Sequence, residues 1–202
     1  MANLKEIRNR ITSVKNTRKI TSAMSRIAAA RLVKAQQAVT GARPYGERLD
    51  QVVGSLVASL GTAEEGEGGH PLITPRSGNG RVAVVLITAD RGLAGGFNAN
   101  INRATLQMIR REREAGNDVV LITVGKKGRA FMQHGGQKVL RHHDAPTLDD
   151  LVVKAKAIAS EVMAMYTGGK EGGETDLPQV DKVLFAYNFF KNVLTQQPTI
   201  QQ

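Results

Sequence analysis

The sequence predicts an α/β fold in two parts, a long N-terminal coiled-coil helix and a small parallel-sheet domain. The first observation is an apolar stripe with helical spacing that runs through residues 1–60. The second is a regular alternation of short apolar runs and helical segments over residues 81–202. A stretch rich in glycine and glutamate separates them, so residues 61–80 are predicted to be a linker.

The N-terminal segment has the pattern of one continuous helix. Asn3 and Glu6 are spaced as in an N-terminal capping box. At 1.5 Å per residue the helix would be roughly 80–90 Å long. A helix of that length cannot bury its stripe inside a small globule, so the stripe needs a second long helix or an enclosing assembly. The stripe consists of Leu4, Ile7, Ile11, Val14, Ile20, Met24, Ile27, Leu32, Val39, Leu49, Val52, Val53, Leu56 and Leu60.

The positive charge of the chain is concentrated on this helix. Residues 1–48 carry 11 Lys and Arg but only two acidic residues, a net charge of +9, whereas the whole chain has +10. Ordinary solvated helices mix both signs, so the imbalance favours an acidic partner such as nucleic acid, an anionic membrane or acidic protein loops. A basic helical nucleic-acid binder is therefore an alternative, although Tyr45 is the one aromatic residue available there for stacking.

The second part reads as strand, helix, strand, helix, strand, helix, strand. This order is typical of a parallel sheet covered on both faces, as in Rossmann-like domains. The fourth helix is predicted to begin at a Thr147 cap and to bury Leu148, Leu151, Val152, Ala155, Ile158, Ala159, Val162 and Met163. The predicted strands are 82–88, 118–124, 138–141 and 181–189, and the predicted helices between them are 98–115, 126–134 and 147–166.

A glycine-rich loop after the first strand is the main candidate for binding chemistry. Loops in this position often bind phosphate through free backbone N–H groups, which leaves a nucleotide-dependent enzyme as a further alternative. The spacing of Gly92, Gly95 and Gly96 fits neither G-x-G-x-x-G nor G-x-x-x-x-G-K-[ST]. The residues alone therefore favour a tight turn, with Asn98 capping the helix that follows.

Other reactive side chains give weaker signals. The loop of residues 125–128 holds a lysine pair that could bind an anion but is more often simply solvated. His134, His142 and His143 lack the spacing of a metal site. Asp149 and Asp150 fall in a first helical turn, where negative charge is favoured without any catalytic role. The chain has no cysteine, which excludes disulfides and thiol chemistry from this sequence. We expect no cofactor, no metal and no catalytic residue.

Several segments together resemble the gamma subunit of F-type ATP synthases, and the resemblance covers nearly the whole chain. The Asp90–Asn98 segment matches the signature of that family's middle domain, namely Asp90, Arg91, Gly92, Gly95, Gly96 and Asn98. The other matching segments are 7–24, 28–32, 42–45, 187–190 and 197–200.

The resemblance implies a central-stalk rotor subunit that couples proton flow through the membrane sector to ATP synthesis or hydrolysis. Catalysis would take place on the surrounding ring of alpha and beta subunits, so this chain would be a non-catalytic part of an enzyme complex. No nucleic acid would be bound. The chain would be peripheral to the cytoplasmic face of a bacterial inner membrane. The residues implied to contact acidic loops of the catalytic ring are Met24, Arg26, Ile27 and Arg31.

The resemblance also assigns the lower part of the helix and the α/β domain. Arg43, Pro44 and Tyr45 would contact the epsilon subunit and the membrane rotor ring, and the α/β domain would form the foot of the stalk. The family continues into a long C-terminal helix that pairs with the first, whereas this sequence stops at Gln202. We therefore expect a truncated or partial product.

Overall fold

The computed structural model describes residues 3–60, 72, 80–168 and 177–202. The predicted linker at 61–80 lies largely outside these described residues. The chain divides into two compact units, residues 1–62 and 63–202.

The first unit contains one helix, α1, which spans Leu4–Leu60 and is 57 residues long. Asn3 opens the helix, as predicted, because its carbonyl oxygen accepts hydrogen bonds from the N–H groups of Glu6 at 2.8 Å and Ile7 at 3.2 Å. Its side chain accepts from the Lys5 N–H at 3.4 Å, which differs from the bond to Glu6 that a capping box requires. The helix continues through Pro44 without interruption.

The apolar stripe of α1 lies on the surface of the described structure. Leu4 is 70% exposed, and the other large apolar side chains described along the helix are also exposed. Burying one such side chain typically contributes about 1.5–3 kcal/mol. The packing that would stabilise so long a helix is therefore not supplied by the residues that the structure describes.

The second unit is a five-stranded sheet with helices. The strand order is β3-β2-β1-β4-β5, in which the first four strands are parallel and β5 runs antiparallel to β4. Within the described ranges, no helix is both long and apolar enough to cross a membrane. The elements are β1 (Arg81–Ile87), α2 (Phe97–Glu114), β2 (Asp118–Val124), α3 (Lys126–His134), β3 (Val139–His143), α4 (Leu151–Thr167), β4 (Lys182–Phe190) and β5 (Gln196–Gln201).

The central strand β1 is buried on both faces, and this explains its uninterrupted apolar sequence. Val84 and Leu86 point into a cluster that includes Ile101 of α2 and Met132 of α3. Val85 points into a second cluster on the opposite face, formed with the C-terminal half of α4. The predicted α/β class is therefore confirmed, and the first three strands and the first two helices of this unit lie within two residues of their predicted bounds.

The fifth strand was missing from the strand pattern. Gln196–Gln201 contains a single large apolar residue, Ile200, so its hydropathy does not indicate a strand. Pairing with β4 in an antiparallel ladder, with Ala186 opposite Ile200, nevertheless orders it at the sheet edge. The sheet is consequently mixed rather than fully parallel.

Helix α4 begins later than predicted. The Thr147 N–H and hydroxyl both donate to Asp150 Oδ1, at 2.6 and 2.8 Å. This closes a turn before the helix, so Asp150 rather than Thr147 occupies the cap position, and the helix runs from Leu151. The predicted Thr147 cap is wrong because the Thr147 hydroxyl donates to Asp150 Oδ1 instead of accepting from a helix N–H, and α4 begins without a side-chain cap.

The buried side of α4 also differs from the prediction. Val162, Met165 and Thr167 are its buried residues, and Ile158 packs beside them. The N-terminal half contacts little of the sheet, because only the C-terminal turns lie over the second cluster. Of the eight residues predicted to be buried, six are exposed: Leu148, Leu151, Val152, Ala155, Ala159 and Met163.

A pair of methionine variants tests this assignment. Met165 is fully buried, so Met165→Ala should lower the free energy of unfolding of this unit by about 2–5 kcal/mol. Met163 is 43% exposed, and Met163→Ala should cost about 0.5 kcal/mol or less. Hydrogen exchange of the β1 amides measures both values without interference from α1. Equal losses for the two variants would contradict the observed helix face.

Candidate functional site

The upper candidate surface on α1 combines two arginines with a slim segment. Met24 is 51% and Ile27 57% exposed, and Arg26 and Arg31 are exposed as well. Small side chains dominate residues 22–30, so the arginines project from a narrow part of the helix. The surface therefore offers positive charge and apolar contact together.

Hydroxyl groups just N-terminal to this surface are turned onto the helix itself. Thr12, Thr17 and Thr21 each donate to the backbone carbonyl four residues earlier, at 3.0 Å. Their hydrogen-bonding capacity is thus partly used within α1. Charge and apolar side chains, rather than hydroxyls, are what this part of the helix presents.

The lower candidate surface on α1 is separate from the upper one. Arg43, Pro44 and Tyr45 lie in the helix, and Tyr45 is 74% exposed. Arg43 follows Arg31 by twelve positions, which corresponds to about 18 Å along the axis. A single contacting loop would not cover both surfaces, so two partners or two parts of one assembly are required to cover them.

In the second unit, Asp90 fastens three loops at the carboxyl edge of the sheet. Its Oδ1 accepts hydrogen bonds from the Lys126 N–H at 2.9 Å and the Ala145 N–H at 3.2 Å. These donors follow β2 and β3, whereas Asp90 itself follows β1. The carboxylate therefore acts as a clip between three βα connections.

Asn98 supports the same loop from inside the helix. Its Oδ1 accepts from the Ala89 N–H at 3.0 Å, and its Nδ2 donates to the Arg91 carbonyl at 3.4 Å. Helix α2 starts at Phe97 with Gly96 at the cap position and no side-chain cap. The predicted capping role of Asn98 is therefore wrong, because its side chain turns back to hold the loop.

The glycines of this loop allow its backbone to adopt a conformation that a side chain would hinder. Gly95 has φ +54°, and a Cβ at Gly96 would lie 2.8 Å from Asn100 Nδ2. A Cβ at Gly92 would be in ordinary contact with Lys127. Leu93 has φ 60° and is 97% exposed, which is unusual for a leucine. The backbone path of the loop therefore depends on Gly95 and Gly96.

Sequence reasoning missed the groups that lock the neighbouring loop. Thr88 Oγ1 donates to the Val124 carbonyl at 3.1 Å and accepts from the Gly128 N–H at 2.8 Å. Gly125 has φ +95°, and a side chain there would collide with the Thr88 carbonyl. The signal was present in the two glycines that flank the lysine pair, which had suggested only a possible anion site.

The hydrogen bonds that Asp90 accepts across the three loops also change the pKa of its carboxyl group. Burial raises its pKa, but the N–H groups of Lys126 and Ala145, with the charges of Lys126 and His142, outweigh burial and lower the pKa below its ordinary value. A lowered pKa in the folded state contributes stability at neutral pH that is lost as pH falls through that pKa.

We expect Asp90→Asn to make the free energy of unfolding of the α/β unit depend less on pH in the acidic range. The natural chain should lose stability of the α/β unit progressively below about pH 4, whereas the variant should lose less over that interval. Hydrogen exchange or urea unfolding at several pH values measures the slope. Asp149→Asn, which removes a carboxylate outside the clip, is the matched control, and identical slopes for both variants would refute the assignment.

The remaining candidate side chains are dispersed. His142 Nδ1 lies 3.1 Å from Thr123 Oγ1, His143 Nε2 lies 2.8 Å from Glu161, and His134 bonds within its own helix. In the part of the chain that the structure describes, no three potential metal ligands cluster. Lys154 and Thr147 lower the pKa of Asp150 to about 2, a consequence of the turn before α4 rather than of catalysis.

Comparison with known proteins places the chain among subunits of one enzyme complex. Residues 3–202 match the family model described as ATP synthase. The chain is 40% identical over 203 residues to the ATP synthase gamma chain of Phenylobacterium zucineum, with 100% of this chain and 65% of that protein covered. The ATP synthase gamma chain of Ruegeria sp. is also 40% identical, over 205 residues, and 66% of it is covered.

Solved structures agree on the fold. The rotor of the mitochondrial ATP synthase of Euglena gracilis superposes with a TM-score of 0.61 at 19% identity, covering 98% of this chain and 63% of that chain. At this identity the likeness establishes the fold. The chain spans about two thirds of the length of the curated relatives it matches.

Proposed function

The chain belongs to the ATP synthase gamma chain family, and from that membership we propose that it acts as the central-stalk rotor of a proton-translocating ATP synthase. The observation that carries the proposal is the match over residues 3–202 at about 40% identity to gamma chains. The comparisons lend no support to the alternative of a nucleic-acid binder. In this role the chain couples proton flow to ATP synthesis or hydrolysis by rotation.

The exposed basic helix supports the shaft role. Because α1 has an uncovered apolar stripe and a strong excess of positive charge, it suits the centre of an assembly that supplies apolar and acidic surfaces. We assign Met24, Arg26, Ile27 and Arg31 to contacts with acidic loops of the catalytic beta subunits. An asymmetric shaft in this position would impose different conformations on the three catalytic sites in turn.

The lower surface and the second unit complete the assignment. We assign Arg43, Pro44 and Tyr45 to the epsilon subunit and the membrane rotor ring, and residues 81–202 to the foot of the stalk. Residues 61–80 would link the two parts. The clip formed by Asp90 supports a mechanical role, since it holds three loops rigidly at one sheet edge.

In this proposal the catalytic chemistry of the complex takes place on other subunits. We propose that this chain is non-catalytic, binds no cofactor and works at the cytoplasmic face of a bacterial inner membrane, held there by the complex. The geometry of the Asp90–Asn98 loop supports this, because the side chains of Asp90 and Asn98 are used in holding the loop together.

Native mass spectrometry of the complex tests the proposal. The chain would be tagged in its own cell and purified from membranes. One copy per three alpha and three beta subunits is the expected composition. Recovery of the tagged chain free of alpha and beta subunits would overturn the rotor assignment.

A further inference from the structure

A cavity between the edge strand β3 and helix α4 has no part in the proposed rotor role. Its volume is about 420 Å³, which is within the usual range for small-ligand pockets. Small residues of α4 leave the space open beside polar side chains of β3 and α4. The principal lining residues are Arg141 and His143 from β3 and Ala157, Ser160, Glu161 and Ala164 from α4.

Glu161 is the most informative residue of this cavity. Its side chain is only 10% exposed, and its Oε2 lies 2.8 Å from His143 Nε2. Among the described residues its buried Oε1 has no hydrogen-bond partner. Arg141 Nε lies 3.6 Å from Oε1, which is an ion-pair distance but too long for a hydrogen bond. A buried acceptor without a donor is costly, so a ligand that donates a hydrogen bond to Oε1 would be favoured.

The surrounding groups narrow the chemistry of that ligand. The guanidinium of Arg141 matches ionised oxygens of phosphate or carboxylate, and the Ser160 hydroxyl adds a donor on the cavity wall. A ligand suited to both sides needs ionised oxygens for Arg141 and a hydroxyl of its own for Glu161. Hydrogen phosphate and protonated phosphate monoesters have both features. Sulfate is fully ionised and offers acceptors only, so the carboxylate would repel it.

We propose that the cavity between β3 and α4 binds protonated phosphate oxyanions, with Glu161 accepting the P–O–H hydrogen bond and Arg141 binding the ionised oxygens. No bond is made or broken. The Glu161 carboxylate repels unprotonated oxyanions, and the small side chains of Ala157 and Ala164 leave room for the ligand beside it.

Titration of the 202-residue chain with sodium phosphate and sodium sulfate tests the proposal. The ¹H–¹⁵N resonances of residues 141–143 and 160–161 should shift saturably with phosphate, with a dissociation constant on the order of 1 mM. Sulfate at equal ionic strength should bind at least about tenfold more weakly. Equal responses to the two anions would mean an adventitious ion only and would overturn the proposal.

A specificity switch provides the second test. Glu161→Gln replaces an obligate acceptor by an amide that can donate, so sulfate should gain affinity and the preference for phosphate should disappear. Lys156→Gln removes a charge from the same helix outside the cavity lining and should leave the preference intact. A preserved preference in Glu161→Gln would refute the role of the carboxylate. If that variant does not fold, the phosphate-to-sulfate ratio of the natural chain decides the question.

Titration with adenosine monophosphate tests whether the cavity binds a phosphate monoester or free phosphate. Monoesters lose their last hydroxyl proton near pH 6, whereas inorganic phosphate keeps one at pH 8. At each pH the affinity for adenosine monophosphate is divided by the affinity for inorganic phosphate. Any effect of His143 that is common to the two ligands cancels in this ratio. Monoester binding at pH 5.5 that weakens at pH 8 relative to phosphate supports the proposal with a monoester as ligand, and binding of phosphate alone supports it with the free ion. A monoester that binds better at pH 8 than phosphate contradicts it.

Discussion

Reversing two charges on the shaft, with Arg26→Glu and Arg31→Glu combined, is expected to impair coupling between ATP hydrolysis and proton pumping by roughly tenfold. Both side chains are exposed on a helix with few acidic residues, so each reversal would turn an attraction to an acidic loop into a repulsion. About 0.7 kcal/mol per reversed contact, within the range for exposed ion pairs, accounts for a change of this size. Proton pumping per ATP hydrolysed, measured in membrane vesicles, gives the result.

The matched control keeps the charge at both positions. Arg26→Lys with Arg31→Lys should retain most of the coupling, because the proposed contacts are electrostatic rather than bidentate. Both pairs of substitutions should leave the α/β unit folded, since these residues belong to the other compact unit. Raising the salt concentration should weaken the natural coupling in the same direction as charge reversal. Coupling that is unchanged in the reversed variant would remove these arginines from the proposed contact with the ring.

Substituting Gly125 by alanine should be the most damaging single change in the α/β unit. The residue has φ +95°, and a Cβ would collide with the Thr88 carbonyl, where the β1 and β2 connections meet. Strain of this kind, together with the displacement of a buried strand end, should lower the free energy of unfolding by about 3 kcal/mol or more. Hydrogen exchange of the β1 and β2 amides provides the measurement.

A substitution at Gly116 separates the cost of the left-handed backbone from the cost of the collision with Thr88. Gly116 has φ +89°, close to that of Gly125, but a Cβ there would meet nothing within 4 Å. Gly116→Ala should therefore show only the cost of the left-handed backbone, about 1–2 kcal/mol. Similar losses for the two variants would mean that the contact with Thr88 contributes nothing.

Local patterns in the sequence were sufficient for most of the architecture. β1 is buried on both faces, and a strand in that position must be apolar at every residue, so its sequence indicated both its conformation and its place in the sheet. The period of the stripe in α1 likewise indicated one long helix. The upper and lower candidate surfaces came from the resemblance to a family, since exposed residues carry no periodic signal of their own.

Long-range contacts decided what the local patterns did not. Asp90 meets its donors 36 and 55 residues away, and Gly128 bonds to Thr88 across 40 residues, so no window of the sequence shows either contact. The start of α4 depended on the turn that Thr147 and Asp150 close before it, and its buried side depended on which of its turns lie over the second cluster. The sequence alone thus determined most of the helices, the parallel strands and the concentration of positive charge on α1, because each has a periodic or compositional pattern. Tertiary structure alone decided β5, the clip at Asp90 and the cavity beside Glu161, because each exists only where distant segments of the chain meet.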